Sequence, residues 1–328
     1  MASTRRRVLA LGAGLPLLRP FGRPAAAAEA FPTRPITWVV PGGPGSVLDV
    51  AARLMAAKMS TGFGQGVVID NRLGAGGTVA AEHAVRAAPD GHTVFFGNFA
   101  TFAIAPLLVP NLRYDARRHF LPVQGIAASA NIVVTAPGSP FASIPALIAH
   151  ARANPGRVTY GAGIGSGQHA AGALFAQVAG LDLTLVPYVN FAQALADTVA
   201  GRLDLMFDYP LSTMPHVRDG TLRALAVNAN ERLAIASEVP TMAEAGLAGA
   251  ELLGWSGLYV PARTPDGVVA RLAEATRAAL ADREVKALFD STGTIGWGGV
   301  DGPALGLALD AEIPRMRQLI GRMEVRPG

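Results

Sequence analysis

Ile36-Thr37-Trp38-Val39-Val40, followed by Pro41-Gly42-Gly43-Pro44-Gly45 and then Ser46, is the stretch whose reading decides how this chain folds. The apolar pentad reads as a buried strand and the Pro/Gly run ends it. Ser46 can then cap a helix in which Leu48, Ala51, Ala52, Met55 and Met59 share one face. The cycle continues with a strand at Val67-Val68-Ile69, a helix from Ala80 to Ala87 and a strand from Thr93 to Phe96. Such alternation reads as βαβ units around a parallel sheet. From Asn131 the pattern restarts, with strands predicted at 132–136, 158–160, 183–186, 203–207 and 222–227 and helices at 143–153, 169–179 and 193–200. The stretch Pro265 to Ala281 closes the series as a further helix, with Pro265 in its first turn. Two similar α/β halves are the simplest account, although no internal repeat stands out at the residue level.

Working outward, the chain has 328 residues, half of them hydrophobic and 16% charged, which excludes disorder and allows two cored domains. There are 28 basic and 24 acidic residues, a net charge of +4. Residues 1–30 carry Arg5, Arg6, Arg7, Arg19 and Arg23 against Glu29 alone, so the whole excess lies there and the chain from Phe31 onward is neutral. That argues against a nucleic-acid partner, which would need a basic folded face. The same thirty residues have the layout of an export signal: three arginines, a short apolar stretch from Val8 to Leu18, and Ala25 to Ala28 for cleavage near residues 28–30. Thr4-Arg5-Arg6-Arg7-Val8-Leu9 also fits a twin-arginine signal. With Gly12, Gly14 and Pro16 inside it, the apolar stretch is far short of the roughly 20 residues that span a bilayer. The expectation is a soluble periplasmic protein. The absence of cysteine excludes disulfides, thiolate metal sites and a lipid-modified cysteine anchor.

Three loops follow predicted strands and are rich in glycine: Gly42 to Ser46, Gly97-Asn98-Phe99-Ala100-Thr101, and Gly161 to Gly167. In open parallel sheets ligands bind beyond the carboxyl ends of the strands, where glycine admits the backbone and helix N-termini present free N–H groups. Ser46, Thr101 and Ser166 add hydroxyls. Tight turns without a ligand would use the same glycines. Dinucleotide binding fails because position 166, the third glycine of G-x-G-x-x-G counted from Gly161, is serine. A Walker lysine is missing too, since Lys58 and Lys286 are the only lysines. A hydrolase elbow around Ser166 would need glycine where Ile164 and Gln168 stand, although Ser166, His169 and Asp208 can be assembled into a triad on paper. The six histidines show no metal spacing, so no metal and no cofactor is expected.

Many ordered motifs together resemble the substrate-binding proteins of the tripartite tricarboxylate transporter family, the Bug-type receptors. They run from Phe31-Pro32-Thr33-Arg34-Pro35-Ile36, with Asp49 and Ala52-Arg53, through Val68-Ile69-Asp70-Asn71-Arg72 and Gly74-Ala75-Gly76-Gly77. Ala88-Pro89-Asp90-Gly91-His92-Thr93, Val186-Pro187-Tyr188 and Gly220-Thr221-Leu222-Arg223-Ala224-Leu225-Ala226-Val227 continue in register. Val239-Pro240-Thr241 and Trp255 with Gly257-Leu258 complete the match. The resemblance implies a type II periplasmic binding protein: two Rossmann-like α/β domains joined by crossover segments near Asn131 and Leu252, closing on a ligand in the cleft between them. It implies domain 1 at 31–131 plus 253–328 and domain 2 at 132–252. It also implies a monomeric receptor, not an enzyme, that carries a small carboxylate (a mono- or dicarboxylate, amino acid or aromatic acid) to the large and small membrane subunits of a secondary transporter. Carried over by motif, the ligand-binding residues are Gly43, Pro44, Gly45, Ser46, Asp49, Asn98, Phe99 and Thr101 from domain 1, with Gly163, Gly165, Ser166, His169, Asn190, Phe191 and Asp208 from domain 2. A sensor role with the same binding chemistry is the alternative, and the Ser166/His169/Asp208 hydrolase a more remote one.

The residues agree with that role. These loops hold no Lys or Arg, so an anion would be gripped by amides, hydroxyls and helix N-termini. Asp208 should disfavour a second carboxylate and favour an ammonium or hydroxyl group, unless it only caps a turn. Asp49 lies in a first helical turn, where the helix dipole accounts for it without ligand contact. Departures from the family pattern are Gly42 for an aromatic, Ser46 for a glycine, Ala105 for an asparagine, and Val189-Asn190. Phe99, Phe102 and Phe191 are candidates to line the pocket and admit an apolar ligand. Citrate, with three carboxylates and no fixed cation to meet them, fits less well than a monocarboxylate.

Overall fold

A computed structural model describes residues 31–320. The export segment expected at residues 1–30 lies outside the described residues. From the N-terminal side come β1 (Ile36–Val40), α1 (Val47–Phe63), β2 (Val67–Asn71), α2 (Thr78–Ala84), β3 (Thr93–Asn98), α3 (Ala105–Leu108), α4 (Ala116–His119) and β4 (Phe120–Ser129). Next follow β5 (Ile132–Thr135), α5 (Ile144–Ala153), β6 (Thr159–Ala162), α6 (Gly167–Ala179), β7 (Thr184–Pro187), α7 (Phe191–Val199), β8 (Leu205–Asp208), α8 (Pro210–Arg218) and β9 (Arg223–Val227). The last described elements are β10 (Gly254–Pro261), α9 (Asp266–Ala281), α10 (Arg283–Thr292), β11 (Thr294–Gly296) and α11 (Gly302–Ile320).

These strands make two sheets, ordered β11-β4-β10-β3-β1-β2 and β7-β6-β8-β5-β9. In the first, β1 pairs in parallel with β2 and β3, while β10 runs antiparallel between β3 and β4. In the second, β6 pairs in parallel with β7 and β8, while β5 runs antiparallel between β8 and β9. Each sheet thus has three parallel strands and then an antiparallel one, followed by β4 and β11 in the first sheet and by β9 alone in the second. We call the two halves lobe 1 and lobe 2.

The decisive stretch folds for the reasons its residues suggest. Ile36, Trp38, Val39 and Val40 are buried, and Ala51, Ala52, Met55 and Met59 of α1 pack with Ile36, Trp38 and Val40 in one cluster. Each large side chain buried there contributes about 1.5–3 kcal/mol relative to exposure. The helix starts where Ser46 accepts from the Asp49 N–H and stops at left-handed Gly64. Other boundaries differ from expectation by a few residues: α6 begins at Gly167 instead of 169, because Ser166 is its N-cap. β4 and β10 had not been anticipated as strands, although they form the longest pairing in the molecule.

Asn228 joins the two crossings between lobes. Its Oδ1 accepts from the Asn131 N–H (2.5 Å), its own N–H donates to the Asn131 carbonyl (3.0 Å), and its carbonyl accepts from Leu252 (2.9 Å). Helix α11 packs on β4 in lobe 1 and on α6 in lobe 2. Among the described residues, no helix is long and apolar enough to cross a membrane.

Candidate functional site

The expected site residues fall at or just beyond the carboxyl ends of the parallel strands of both lobes. In lobe 1, Gly43 to Ser46 follow β1, Asn71 ends β2, and Asn98 to Thr101 lie at and beyond the end of β3. In lobe 2, Gly163 to Ser166 follow β6, Asn190 follows β7, and Asp208 ends β8. The loops come close to each other's lobe: a side chain added at Gly165 would lie 3.0 Å from Leu108 Cδ1 and 3.9 Å from Ile104 Cγ2.

The two glycine loops turn out to be one construction used twice. In lobe 1 the Ser46 N–H donates to the Gly43 carbonyl (3.1 Å) across a turn whose third residue, Gly45, has φ 81°. In lobe 2 the Ser166 N–H donates to the Gly163 carbonyl (3.0 Å) and Gly165 has φ 76°. Left-handed backbone at that position is what a type II turn requires and what glycine supplies. Ser46 Oγ then accepts from the Asp49 N–H (3.3 Å), and Ser166 Oγ from the His169 N–H (3.1 Å). Finally the third residue of each helix reaches back to the glycine amide. Gly45 N–H donates to Asp49 Oδ2 (2.8 Å), and Gly165 N–H to His169 Nδ1 (3.2 Å). This repeat, Gly-x-Gly-Ser-x-x-(Asp or His), escaped sequence reading because the residue that matters most differs in type.

Asp49 is 2% exposed, and its oxygens are already occupied. Besides Gly45, it accepts from Arg53 Nε (2.9 Å) and Asn71 Nδ2 (2.9 Å), and Arg53 also donates to Asn71 Oδ1 (2.9 Å). The Arg53 guanidinium holds the carboxyl down to about 2, aided by the Gly45 and Asn71 donors against the cost of burial. Asn71 also donates to the Gly42 carbonyl (2.8 Å). Asp49 therefore shapes the loop from behind. The family motif contained Asn71 and Arg53, but nothing in their spacing announced this role.

His169 is 3% exposed, and burial pushes its pKa down to about 4, so the imidazole is neutral at pH 7. Because Nδ1 accepts from Gly165, the proton sits on Nε2, which is a donor. Asp208, also 3% exposed, accepts from Gln168 Nε2 (3.2 Å). Burial raises its pKa, opposed by hydrogen bonds from the Tyr209 N–H, Gln168 and Ser212. The Tyr209 hydroxyl lies 3.3 Å from the position a side chain on Gly167 would take. Gln168 and Tyr209 were not singled out from sequence. The hydrolase reading finds no relay here: His169 Nδ1 faces Gly165, Asp208 faces Gln168, and Ser166 Oγ receives a backbone N–H.

The remaining candidates divide. Asn98 Oδ1 accepts from the Thr101 N–H (2.9 Å), and buried Thr101 donates to the Gly76 carbonyl (3.3 Å), so both brace the end of β3. Phe99 is buried edge-on to Trp255, with ring centroids 6.5 Å apart. Phe102 is not a lining residue: it is fully buried among Phe95, Tyr114, Phe120 and Tyr259. Exposed Asn190 caps α7 through the Ala192 N–H (3.0 Å), and half-buried Phe191 packs against Gly163. Pro44 lies in the first turn, at the position where proline presets such turns.

Comparison with known proteins gives the family and the fold. The family model described as Tripartite tricarboxylate transporter family receptor matches residues 51–302. A UPF0065 protein from the tcbD-tcbE intergenic region of Pseudomonas sp. (strain P51) is 41% identical over 287 residues, covering 87% of this chain and 84% of that one. Among solved structures, R. palustris Rpa4515 with adipate is 33% identical with a TM-score of 0.78, covering 89% of this chain and 98% of that one. MatC from Rhodopseudomonas palustris with bound malate is 32% identical with a TM-score of 0.75, covering 88% and 100%. The chain has the type II periplasmic binding protein fold and belongs to the tripartite tricarboxylate transporter receptor family of solute-binding proteins.

Proposed function

We propose that this protein is a periplasmic receptor that closes on a small carboxylate between the two lobes and hands it to the membrane subunits of a tripartite tricarboxylate-type secondary transporter. The observation that carries this reading is the pair of glycine turns at the strand ends, each leading into a helix N-terminus and neither containing Lys or Arg. Backbone donors and the positive end of a helix dipole hold an anion with direction but without the deep well of an ion pair. A receptor that must release its cargo benefits from that. In this reading the lobes are residues 31–131 plus 253–328 and residues 132–252, and the chain acts as a monomer after removal of residues 1–30. The first loop takes the carboxylate and the second lobe selects the remainder. Two relatives whose structures hold adipate and malate make acids of that size the first ligands to try.

The test is a thermal-shift screen of mono- and dicarboxylates, amino acids and aromatic acids on the purified protein, followed by calorimetric titration of any hit. At least one acid is expected to raise the melting temperature by several degrees, since stabilisation grows as RT ln(1 + [L]/Kd). A flat response across all four classes would sink the reading.

A further inference from the structure

We propose that Asp49 and His169 are matched positioning residues, each locking the left-handed glycine of its own loop so that both helix N-termini face the cleft already formed. We propose also that lobe 2 uses a neutral side chain there because it has no cation to offset a carboxylate. The inference rests on the cleft being the ligand site. Its geometric basis is the correspondence of hydrogen bonds, N–H of Gly45 to Asp49 and N–H of Gly165 to His169, in turns with the same serine cap. Four residues beyond Asp49 stands Arg53, whose Nε meets the carboxylate at 2.9 Å. Four residues beyond His169 stands Ala173, half-buried and unable to pair with a charge. A carboxylate at 169 would be desolvated with no cation to offset it, next in sequence to Gln168, whose amide already serves Asp208, a second buried carboxylate without a basic partner among the described residues. An imidazole with its lone pair on Nδ1 takes the same amide without that penalty and leaves Nε2–H as a donor.

The locked turn has a consequence for binding. The glycine N–H in each loop is spent on the protein, so the ligand meets only the remaining amides, held in one arrangement before it arrives. Preorganised donors bind more tightly than donors that must be ordered on binding. Replacing the acceptor should therefore weaken binding even where the fold survives.

The test needs readouts with and without ligand. Nitrogen-15 NMR of the histidine rings at pH 7 is expected to show His169 as the Nε2–H tautomer; the Nδ1–H tautomer would overturn the assignment. Melting temperatures come next. His169→Asp should fall by about 5 °C or more, and the double variant His169→Asp/Ala173→Arg should regain over half of the loss. Conversely, Arg53→Ala should fall, and Asp49→His in that background should recover. If neither second substitution restores anything, charge matching is wrong. With malate and adipate as probes, His169→Leu should bind about tenfold or more weaker than His169→Gln, which keeps an acceptor. Equal loss in the two would reduce His169 to a space-filling role. If neither these nor any other acid of the thermal-shift screen binds the wild type, the ligand reading fails while the tautomer and the melting series still decide the positioning claim.

Discussion

Gly43 to Asp49 and Gly163 to His169 share a turn, a serine cap and a side chain that accepts the N–H of a left-handed glycine, yet the two acceptors are chemical opposites. One is a carboxylate kept ionised by Arg53, Asn71 and Gly45; the other is an imidazole kept neutral by burial. The geometry is what the two lobes have in common, and the charge is set by what else each lobe provides. If the loops bind an anion as proposed, the carboxylate behind the first is tolerable because Arg53 stands beside it. Side-chain identity is therefore a poor guide to equivalence between lobes, and the hydrogen bond a good one.

The surroundings of the two glycines offer the hardest test of the comparison. A Cβ added at Gly45 meets nothing within 4 Å, so the main cost of a valine there is the left-handed backbone, about 1–2 kcal/mol. At Gly165 the same backbone cost is joined by Leu108 of the other lobe, 3.0 Å from the new carbon. Gly165→Val is expected to lose about 3 kcal/mol or more in urea unfolding and to enlarge the radius of gyration in solution scattering, whereas Gly45→Val should do neither to that extent. Equal losses with unchanged dimensions would mean that the lobes do not touch at this point in solution.

Much of this architecture was legible before any coordinates, and the failures are instructive. β1, the loop after it and α1 could be read because their partners are local and the apolar spacing is clean. β4 was hidden by Pro122 and Gly125, which break the look of a strand; its pairing comes from β10, more than a hundred residues away, and from the Gly125 N–H bonded to the Val300 carbonyl (2.7 Å). β10 was obscured for the same reason, since nothing near it in sequence reports that it inserts between β3 and β4. At the site, the loops and the strand-end acid Asp208 could be placed from motif and position. The roles of Asp49 and His169 could not, because they depend on which amide each side chain reaches.

The pH axis separates the two loops next. His169 titrates near 6.5 in the unfolded chain and at about 4 in the folded protein. The unfolded state therefore takes up its proton first as pH falls, so the contribution is complete above pH 6.5 and is lost between pH 6.5 and 4, by about 3 kcal/mol at most. Asp49, at 3.8 unfolded and about 2 folded, contributes fully above 3.8 and is lost only below that. Asp208 works in the opposite sense, its raised pKa favouring the folded state as protons are added. The difference between wild type and His169→Gln removes that background. Urea unfolding at pH 7 and pH 4.5 should show the wild type losing stability relative to the variant. Parallel curves would mean that His169 is not buried neutral, and the contrast between the loops would collapse.

The smallest effect tests whether geometry or charge matters in the first loop. Arg53 presents two nitrogens of one planar group, Nε to Asp49 and a terminal nitrogen to Asn71, both at 2.9 Å. Lysine at 53 would keep the positive charge but could not serve both partners, because its ammonium is a single point at the end of a flexible stem. The guanidinium is about half exposed, so solvent already screens much of the attraction. Arg53→Lys should therefore lower the melting temperature by only about 1–3 °C, well below the drop in Arg53→Ala, which strips the buried carboxylate of its cation. A lysine variant as damaged as the alanine variant would show that the fork holding Asn71 matters more than the charge. The kinship of the loops would then rest on shape alone, with Asp49, Asn71 and Arg53 together doing in lobe 1 what a single neutral ring does in lobe 2.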